Sequence, residues 1–371
     1  MGVRAFGNRT PSFLPHRSHG VGGWQKCYYA KGMRFLDACL RKKVDTTPVW
    51  FMRQAGRYMA EYRKLRAKHT ILQLCDTPEA AAEVTLQPIR AFGMDAAILF
   101  ADILLIVRPM GLKLKFVAGE GPVISPPLRT ARDVARLRRF HPEEGMGAVL
   151  GAIRLIRKEL DGKTPLIGFA GAPFTVASYM IEGGPSKDYR NTKAMMHGAP
   201  KLWKKLMTVL SDNTADYLKA QVDAGAQAIQ LFDSWVGALS QTDFEKYVKP
   251  YSAKIIKAVQ RKGVPVIHFG TGTTPFLKSF ADTGGDVVGV DWRPPLDVAR
   301  KIIPAKQAIQ GNLDPVHLLL PRPTLKPLVR DVIRRAEGKR GHIFNLGHGI
   351  IKETDPETVR AVVDWVHDWT S

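Results

Sequence analysis

The sequence predicts a mixed α/β fold of the (β/α)8 TIM-barrel type, formed by a single domain. Short apolar runs rich in β-branched residues alternate with longer amphipathic segments along the chain. Eight such runs occur, and they are continuously apolar instead of alternating, which is typical of parallel strands buried on both faces. A chain of 371 residues with 45% hydrophobic content is long enough for one such barrel.

The predicted strands are mostly separated by segments with a helical pattern, as a barrel of this type requires. In chain order the strands are residues 48–52, 96–103, 165–171, 228–233, 264–269, 286–290, 307–311 and 342–346. The helical patterns include residues 199–224 and 242–262, and residues 111–119 predict part of a small inserted hairpin. Because no linker and no repeat of fixed period is visible, we expect one domain over residues 33–371.

Residues 1–32 predict a basic N-terminal extension outside that domain. They are rich in glycine, arginine, serine and histidine, and they lack a convincing periodicity. The alternatives are a targeting leader, a disordered extension and a start codon assigned too far upstream. The regular segment that opens at Met33 favours an upstream misassignment of the start.

The net charge of +21 invites a nucleic-acid hypothesis. Apart from a cluster before Leu36, however, the cations are dispersed along helical segments, where they usually form solvated faces. No recognisable nucleic-acid module accompanies them, so we expect no nucleic-acid partner. A basic field of this kind would instead raise the rate of encounter with a substrate that carries several carboxylates.

The three cysteines, Cys27, Cys39 and Cys75, indicate a reducing compartment, and we expect a cytoplasmic protein. Their spacing suggests no disulfide framework and no metal site. The longest apolar stretch, residues 96–107, is interrupted by Asp102 and is too short to cross a bilayer. We therefore expect a protein without a membrane segment.

Two arginines four residues apart, Arg53 and Arg57, flank Gly56 where an apolar run turns polar. If this segment is helical, residues four apart share one face, and both guanidinium groups would meet one anionic ligand. The alternative is a pair of solvated surface arginines. Gly56 would allow the backbone to be approached closely.

Polar residues come just after the predicted strands, and in a barrel all of these positions meet at one mouth. They are Arg53, Asp102, Thr175, Ser234, Asp291, Asn312, Asp314, Asn345 and His348, together with the glycine-rich loop 270–274. Asp102 interrupts an apolar run, and a carboxylate there is costly unless a neighbouring cation or helix terminus pairs with it. Thr175 is a candidate helix N-cap. Ser234 lacks a nucleophile elbow, so we expect it to act as a hydrogen-bond donor.

Several segments carry a resemblance to the uroporphyrinogen decarboxylase family that extends from about Met33 to the C-terminus. They are PVWFMRQAGR at 48–57, DAAILFADIL at 95–104, GFAGAPFTVASYMIEG at 168–183, QGNLDP at 310–315 and NLGHG at 345–349. The resemblance implies a (β/α)8 barrel that decarboxylates the four acetate side chains of uroporphyrinogen III to give coproporphyrinogen III in haem biosynthesis. It also implies a homodimer that uses neither a metal nor an organic cofactor.

The resemblance also implies roles for seven residues. Asp102 would accept hydrogen bonds from the pyrrole N–H groups, and Arg53 and Arg57 would face the substrate. The side-chain-binding positions and the cleft wall would be supplied by Tyr179, Ser234, His348 and Phe232. Asp102 and Arg53 form the expected catalytic pair, while the proton donor stays open among Arg53, Asp102, Tyr179 and a substrate carboxyl.

The sequence departs from the family pattern at Trp235, where some relatives carry a smaller or polar residue after the serine. This would change how an acetate or propionate is held. The rival hypothesis is a zinc- and corrinoid-linked methyltransferase on the same barrel. Zinc thiolates at the mouth would need late cysteines, and the sequence has none after Cys75.

Overall fold

Seven parallel strands form one curled sheet in a computed structural model that describes residues 33–160, 162–336 and 340–370. The order in the sheet is β1-β4-β5-β6-β7-β8-β9, and β2 and β3 pair separately as an antiparallel hairpin. The strands are β1 (Ala97–Ile98), β2 (Lys113–Val117), β3 (Gly121–Ser125), β4 (Leu166–Gly171), β5 (Ala228–Asp233), β6 (Val266–Gly270), β7 (Val287–Gly289), β8 (Ala308–Gln310) and β9 (His342–Ile343). The predicted N-terminal extension and Cys27 lie outside the described residues.

Helices occupy most intervals between the parallel strands. They are α1 (Arg34–Cys39), α2 (Ala60–Lys68), α3 (Ile71–Asp76), α4 (Pro78–Phe92), α5 (Ala131–Ala135), α6 (Pro142–Gly145), α7 (Gly147–Leu160), α8 (Pro173–Glu182), α9 (Arg190–Gly198), α10 (Pro200–Ala224), α11 (Gln241–Tyr247), α12 (Lys249–Gln260), α13 (Leu277–Ala281), α14 (Leu296–Ile302), α15 (Arg322–Ala336) and α16 (Pro356–Thr370). Short 3-10 helices are Leu105–Val107, Val236–Ala238, Thr274–Phe276 and Pro315–Leu319.

The central strands are almost entirely buried, as continuous apolar runs predict for parallel strands between helices. Every residue of β4 and β6 is buried. The strands pair in register from Ile167 opposite Ala228 onwards, so their carboxyl ends lie at one edge of the sheet. The predicted α/β class and parallel sheet are therefore confirmed.

The second predicted strand is much shorter than the apolar run suggested. Residues 96–103 were predicted as a strand, but β1 contains only two of them. The Asp102 carbonyl accepts a hydrogen bond from Leu105 N–H at 3.2 Å, and the Asp102 carboxylate accepts one from Leu104 N–H at 2.8 Å. These two bonds turn the chain into a 3-10 helix, so an apolar sequence alone did not define where the strand ends.

Residues 48–50 run beside the first and last strands of the sheet without forming a long strand. Phe344 N–H donates to the Pro48 carbonyl at 2.9 Å, and Trp50 N–H donates to the Phe344 carbonyl at 3.4 Å. On the other side, Asp95 N–H donates to the Val49 carbonyl at 2.9 Å. The predicted strand 48–52 is thus reduced to a single parallel bridge at Val49.

The predicted helix 199–224 is confirmed, but the predicted helix 242–262 is two helices. The break lies at Val248, whose backbone angles are φ −126° and ψ −52°. Pro250 follows in the first turn of α12, where its missing N–H is tolerated, whereas inside a continuous helix it would remove a hydrogen bond. The hairpin prediction is confirmed and extends to Ser125.

The Asp95 carboxylate joins three distant parts of the chain. It accepts hydrogen bonds from Val49 N–H at 2.7 Å and from the Arg34 guanidinium at 3.2 Å. It also contacts the His367 ring nitrogen at 2.8 Å. Because α1, residues 48–50 and α16 meet on one side chain that is 10% exposed, Asp95 ties both ends of the described chain to the sheet.

We predict that Asp95→Ala lowers the free energy of unfolding by about 3 kcal/mol, because buried partners lose a charged acceptor. Asp45→Ala is the matched control, since Asp45 pairs with the same Arg34 but its side chain is 66% exposed. Its cost should stay below about 1 kcal/mol. Urea unfolding of both variants measures the difference, and equal costs would contradict the role of Asp95.

Candidate active site

All seven residues that the sequence predicted as site residues line one cavity at the carboxyl edge of the sheet. The cavity has a volume of about 1280 Å³. Its walls include Arg53, Arg57, Asp102, Tyr179, Phe232, Ser234 and His348. Residues that lie almost 300 positions apart in the chain thus share one space, as the strand directions predicted.

The two arginines reach this cavity by a turn and not by a helix. The sequence argument assumed a helical face, but residues 52–58 form turns and α2 begins only at Ala60. Arg53 has φ 59°, a left-handed conformation that is uncommon for a residue with a side chain. Gln54 holds this turn, because its amide accepts from Phe51 N–H at 3.3 Å and donates to the Ala96 carbonyl at 3.2 Å.

The Arg53 side chain passes directly over Gly349. A Cβ atom at position 349 would lie 2.4 Å from Arg53 Cδ and 2.6 Å from its Cγ. Only a glycine therefore leaves the guanidinium its present path next to the His348 loop. This explains why the NLGHG segment ends in glycine.

Asp102 lines the cavity, and most of the cavity surface around it is apolar. Burial raises the pKa of Asp102, while the hydrogen bond from Leu104 N–H and the positive charge of Arg53 act against that rise. The structure thus places a carboxyl with a raised pKa within the electrostatic reach of a guanidinium. Groups with shifted pKa values in a cleft are typical of active sites.

An aromatic wall lines the cavity beside these charges. Phe232 packs edge to face against Phe169 at 5.4 Å and against Phe269 at 5.9 Å between ring centroids. Phe269 in turn contacts the His348 ring at 6.5 Å. The wall gives this side of the cavity a broad apolar surface against which a ligand can pack.

His348 is a neutral hydrogen-bonding group in this wall. Burial, followed by the positive charge of Arg53, lowers the pKa of His348 to about 4. Its Nδ1 accepts a hydrogen bond from Gly349 N–H at 2.8 Å, so the proton of the neutral ring is on Nε2. The side chain can therefore donate one hydrogen bond into the cavity at neutral pH.

Tyr179 also stays protonated near neutral pH. Burial raises the pKa of its phenol, and the negative charge of Asp102 raises it further. The side chain comes from α8 and enters the cavity beside the strand ends. It can donate a hydrogen bond to a ligand carboxylate.

Four polar residues expected at the mouth support the site from behind instead of lining it. Thr175 is not the N-cap of α8, which is Ala172, and its hydroxyl donates to Asp233 Oδ1 at 3.0 Å. Asn345 accepts from Met52 N–H at 3.2 Å and thereby fixes the residue before Arg53. The other two are linked, because the Asn312 amide donates to the Asp291 carbonyl at 2.8 Å.

The glycine-rich loop 270–274 likewise lies outside the cavity lining. The Asp291 carboxylate accepts from Gly272 N–H at 2.7 Å, and Gly237 packs so closely that a Cβ there would lie 2.4 Å from the Thr271 carbonyl. The loop therefore has a packing role.

The sequence analysis missed several cavity residues. They include Phe169 and Phe269 of the wall, the cations Arg66 and Lys352, Trp292, and the hairpin residues 116–119. A usable signal existed for the wall, because three successive parallel strands each carry a phenylalanine within two residues of their carboxyl end.

Among the described residues, no group of three or more His, Cys, Asp or Glu side chains could hold a metal ion. Cys39 and Cys75 are buried as free thiols. No helix in the described part of the chain is long and apolar enough to span a membrane.

A curled parallel sheet with a large cavity at its carboxyl edge, lined by arginines and by a buried carboxyl, is typical of an α/β enzyme. The family model described as "Uroporphyrinogen decarboxylase (URO-D)" matches residues 30–369. The uroporphyrinogen decarboxylase of Sorangium cellulosum (strain So ce56) is 60% identical over 334 residues, which cover 90% of this chain and 95% of that protein. That of Carboxydothermus hydrogenoformans (strain ATCC BAA-161 / DSM 6008 / Z-2901) is 52% identical and covers 91% of this chain and 96% of that protein.

The chain belongs to the uroporphyrinogen decarboxylase family. Among solved structures, a methyltransferase from Methanosarcina mazei superposes with a TM-score of 0.74 over 91% of this chain and 98% of that one. Its sequence identity is 21%, so this likeness concerns the fold alone.

We predict that Arg53→Gln raises the pKa of His348 above about 4, because the variant removes a positive charge that disfavours protonation. The pKa should stay below the ordinary value of about 6.5, since burial persists. Titration of the imidazole signals by NMR measures this shift.

His342 provides the internal control for that titration. Its pKa is also lowered to about 4, by burial and by the charge of Arg300, so Arg53→Gln should leave it unchanged. Equal shifts at both histidines would show that the substitution disturbs the fold generally.

Proposed function

We propose that this protein is a carboxy-lyase that removes carbon dioxide from the four acetate side chains of uroporphyrinogen III and yields coproporphyrinogen III. The observation that carries the proposal is the placement of Asp102 and Arg53 on one cavity with an aromatic wall. The family membership supports the same reaction. Arginines at the mouth suit a substrate that carries many carboxylates.

Each decarboxylation needs an electron sink next to the acetate. Protonation of a pyrrole ring carbon supplies it, because the ring becomes a cation that accepts the electron pair of the breaking carbon–carbon bond. Carbon dioxide then leaves, the exocyclic methylene takes up a proton to become a methyl group, and the ring carbon loses its proton. The net change is one proton consumed and one carbon dioxide released per acetate.

Asp102 is proposed to stabilise the ring cation and to accept hydrogen bonds from the pyrrole N–H groups. A fixed negative charge in a cavity from which the substrate displaces water is more effective than the same charge in bulk water. Its Oδ1 already accepts from Leu104 N–H, which fixes the orientation of the carboxyl group. Arg53 is proposed to be the second catalytic residue, since its charge lies close enough to Asp102 to oppose the rise that burial causes in the pKa of that carboxyl.

The remaining residues are proposed to bind the rim of the substrate. Arg57 would pair with carboxylates, and Tyr179, Ser234 and His348 would donate hydrogen bonds to acetate and propionate groups. Phe232 would pack against the macrocycle. His348 would act without a positive charge, because its pKa of about 4 leaves it neutral at pH 7.

We also propose that the sheet closes into a (β/α)8 barrel through residues 48–50. The hydrogen bonds of Val49 toward Asp95 and of Pro48 and Trp50 toward Phe344 support closure. The homodimer, the cytoplasmic location and the absence of a cofactor are proposed from the family resemblance.

The methyltransferase alternative is disfavoured by sequence. The decarboxylase relatives are 52–60% identical to this chain, whereas the methyltransferase structure is 21% identical. Residues 33–371 are proposed to form the decarboxylase domain, and a family match over residues 30–369 supports this proposal.

We predict that Asp102→Asn lowers kcat at least 100-fold, because the amide keeps the size and the Oδ1 acceptor of the carboxylate but removes its charge. Anaerobic incubation with uroporphyrinogen III, with separation of products by carboxyl number, measures the loss. Asp314→Asn is the matched control, since Asp314 lines the same cavity but its carboxylate caps the turn at Val316. Near-normal turnover of Asp102→Asn would refute the stabilisation of a ring cation.

We predict that a chain shortened to begin at Met33 retains the kcat and KM of the full chain. All seven proposed site residues and the family-matched strands lie after Met33. The same assay compares the two proteins, and a large loss would place a functional element in residues 1–32.

A further inference from the structure

Tyr179 is held by an aromatic partner that does not itself reach the cavity. Its ring stacks on Trp235 with 3.8 Å between centroids and an angle of 26° between the ring planes. Tyr179 comes from α8, whereas Trp235 follows β5, so the stack joins two separate elements. Tyr179 and Ser234 line the cavity, whereas Trp235 is not among the described residues that line it.

A buried hydrogen-bond chain fixes the backbone of Trp235. Its N–H donates to Thr175 Oγ1 at 3.2 Å, and the Thr175 hydroxyl donates to Asp233 Oδ1 at 3.0 Å. Thr175 and Asp233 are both fully buried. Because the Thr175 hydroxyl accepts one bond and donates the other, the end of β5 and the first turn of α8 are locked together, and Tyr179 lies one turn further along α8.

Tyr189 supports the other side of the stack. Its ring meets the Trp235 ring edge to face at 5.2 Å, and it also contacts Phe174 of α8 at 6.2 Å. Tyr189 has a left-handed backbone with φ 54°, and its N–H donates to Ser186 Oγ at 2.9 Å. A non-glycine residue keeps such a conformation only where its surroundings enforce it.

We infer that Trp235 is a positioning residue, which holds the Tyr179 phenol at the cavity wall, and that Tyr189 supports Trp235 in this role. The inference rests on the proposed function. It differs from the sequence expectation that Trp235 reshapes the acetate or propionate pocket directly, because Trp235 acts through Tyr179. A displacement of about 1 Å at such a group can cost roughly 100-fold in rate.

The test is a double-mutant cycle in the full-length protein with uroporphyrinogen III under anaerobic conditions. Trp235→Leu removes the stack and should lower kcat/KM about 10- to 100-fold, whereas Trp235→Phe keeps an aromatic face and should recover most of the loss. In a Tyr179→Leu background, Trp235→Leu should change kcat/KM less than about twofold, because the group that it positions is gone.

Two further variants keep the test decisive. Trp365→Leu removes an aromatic stack in α16, where Trp365 and Trp369 lie 6.2 Å apart, and it should leave kcat/KM unchanged. If Trp235→Leu does not fold, Tyr189→Leu replaces it, with a smaller loss that should also vanish in the Tyr179→Leu background.

Losses that multiply in the double variant, or a Trp235→Phe protein as impaired as Trp235→Leu, would overturn the positioning role while leaving the proposed function intact. A wild-type protein that releases no carbon dioxide from uroporphyrinogen III would overturn the proposed function and this inference together. The two failures are therefore distinguishable.

Discussion

The electrostatic effect of the Arg53 guanidinium on its neighbours is the interaction on which the protonation of the cavity side chains depends. It opposes the rise that burial causes in the pKa values of Asp102 and Tyr179, and it adds to the lowering that burial causes in the pKa of His348. For Asp102 the effect favours the carboxylate, and for His348 it favours the neutral ring. One guanidinium therefore acts on a hydrogen-bond acceptor and on a neutral hydrogen-bond donor of the same cavity.

The backbone around Arg53 shows how the fold maintains this charge in place. Arg53 adopts a left-handed conformation, and its side chain passes where any Cβ at position 349 would collide. Asn345 accepts a hydrogen bond from Met52 N–H, and Ile350 N–H donates to the Met52 carbonyl at 2.9 Å. The segment after β9 thus builds both the support for Arg53 and the His348 donor, so two motifs almost 300 residues apart act as one unit.

A site residue could be predicted from the sequence where it interrupted the apolar pattern of a strand. Asp102 was predictable because a carboxylate interrupts an apolar run, and the strand ends correctly brought it toward Ser234 and His348. Phe169 and Phe269 were missed, since a phenylalanine in a buried strand looks the same whether it faces the core or a cavity. The arginine pair was predicted to share one ligand site for the wrong local reason, because a turn stabilised by Gln54 replaces the expected helix.

The stack of Trp235 on Tyr179 belongs to the class of features that no sequence pattern could have shown. The two residues lie on different elements, and their contact depends on the crossover from β4 to β5, which contains α8, and on the buried bond between Thr175 and Asp233. Thr175 was predicted to cap α8, but its hydroxyl forms this tertiary hydrogen bond instead. A buried polar link behind the cavity thereby controls an aromatic group at its surface, and the geometry of the site is determined as much by these supporting residues as by those that line it.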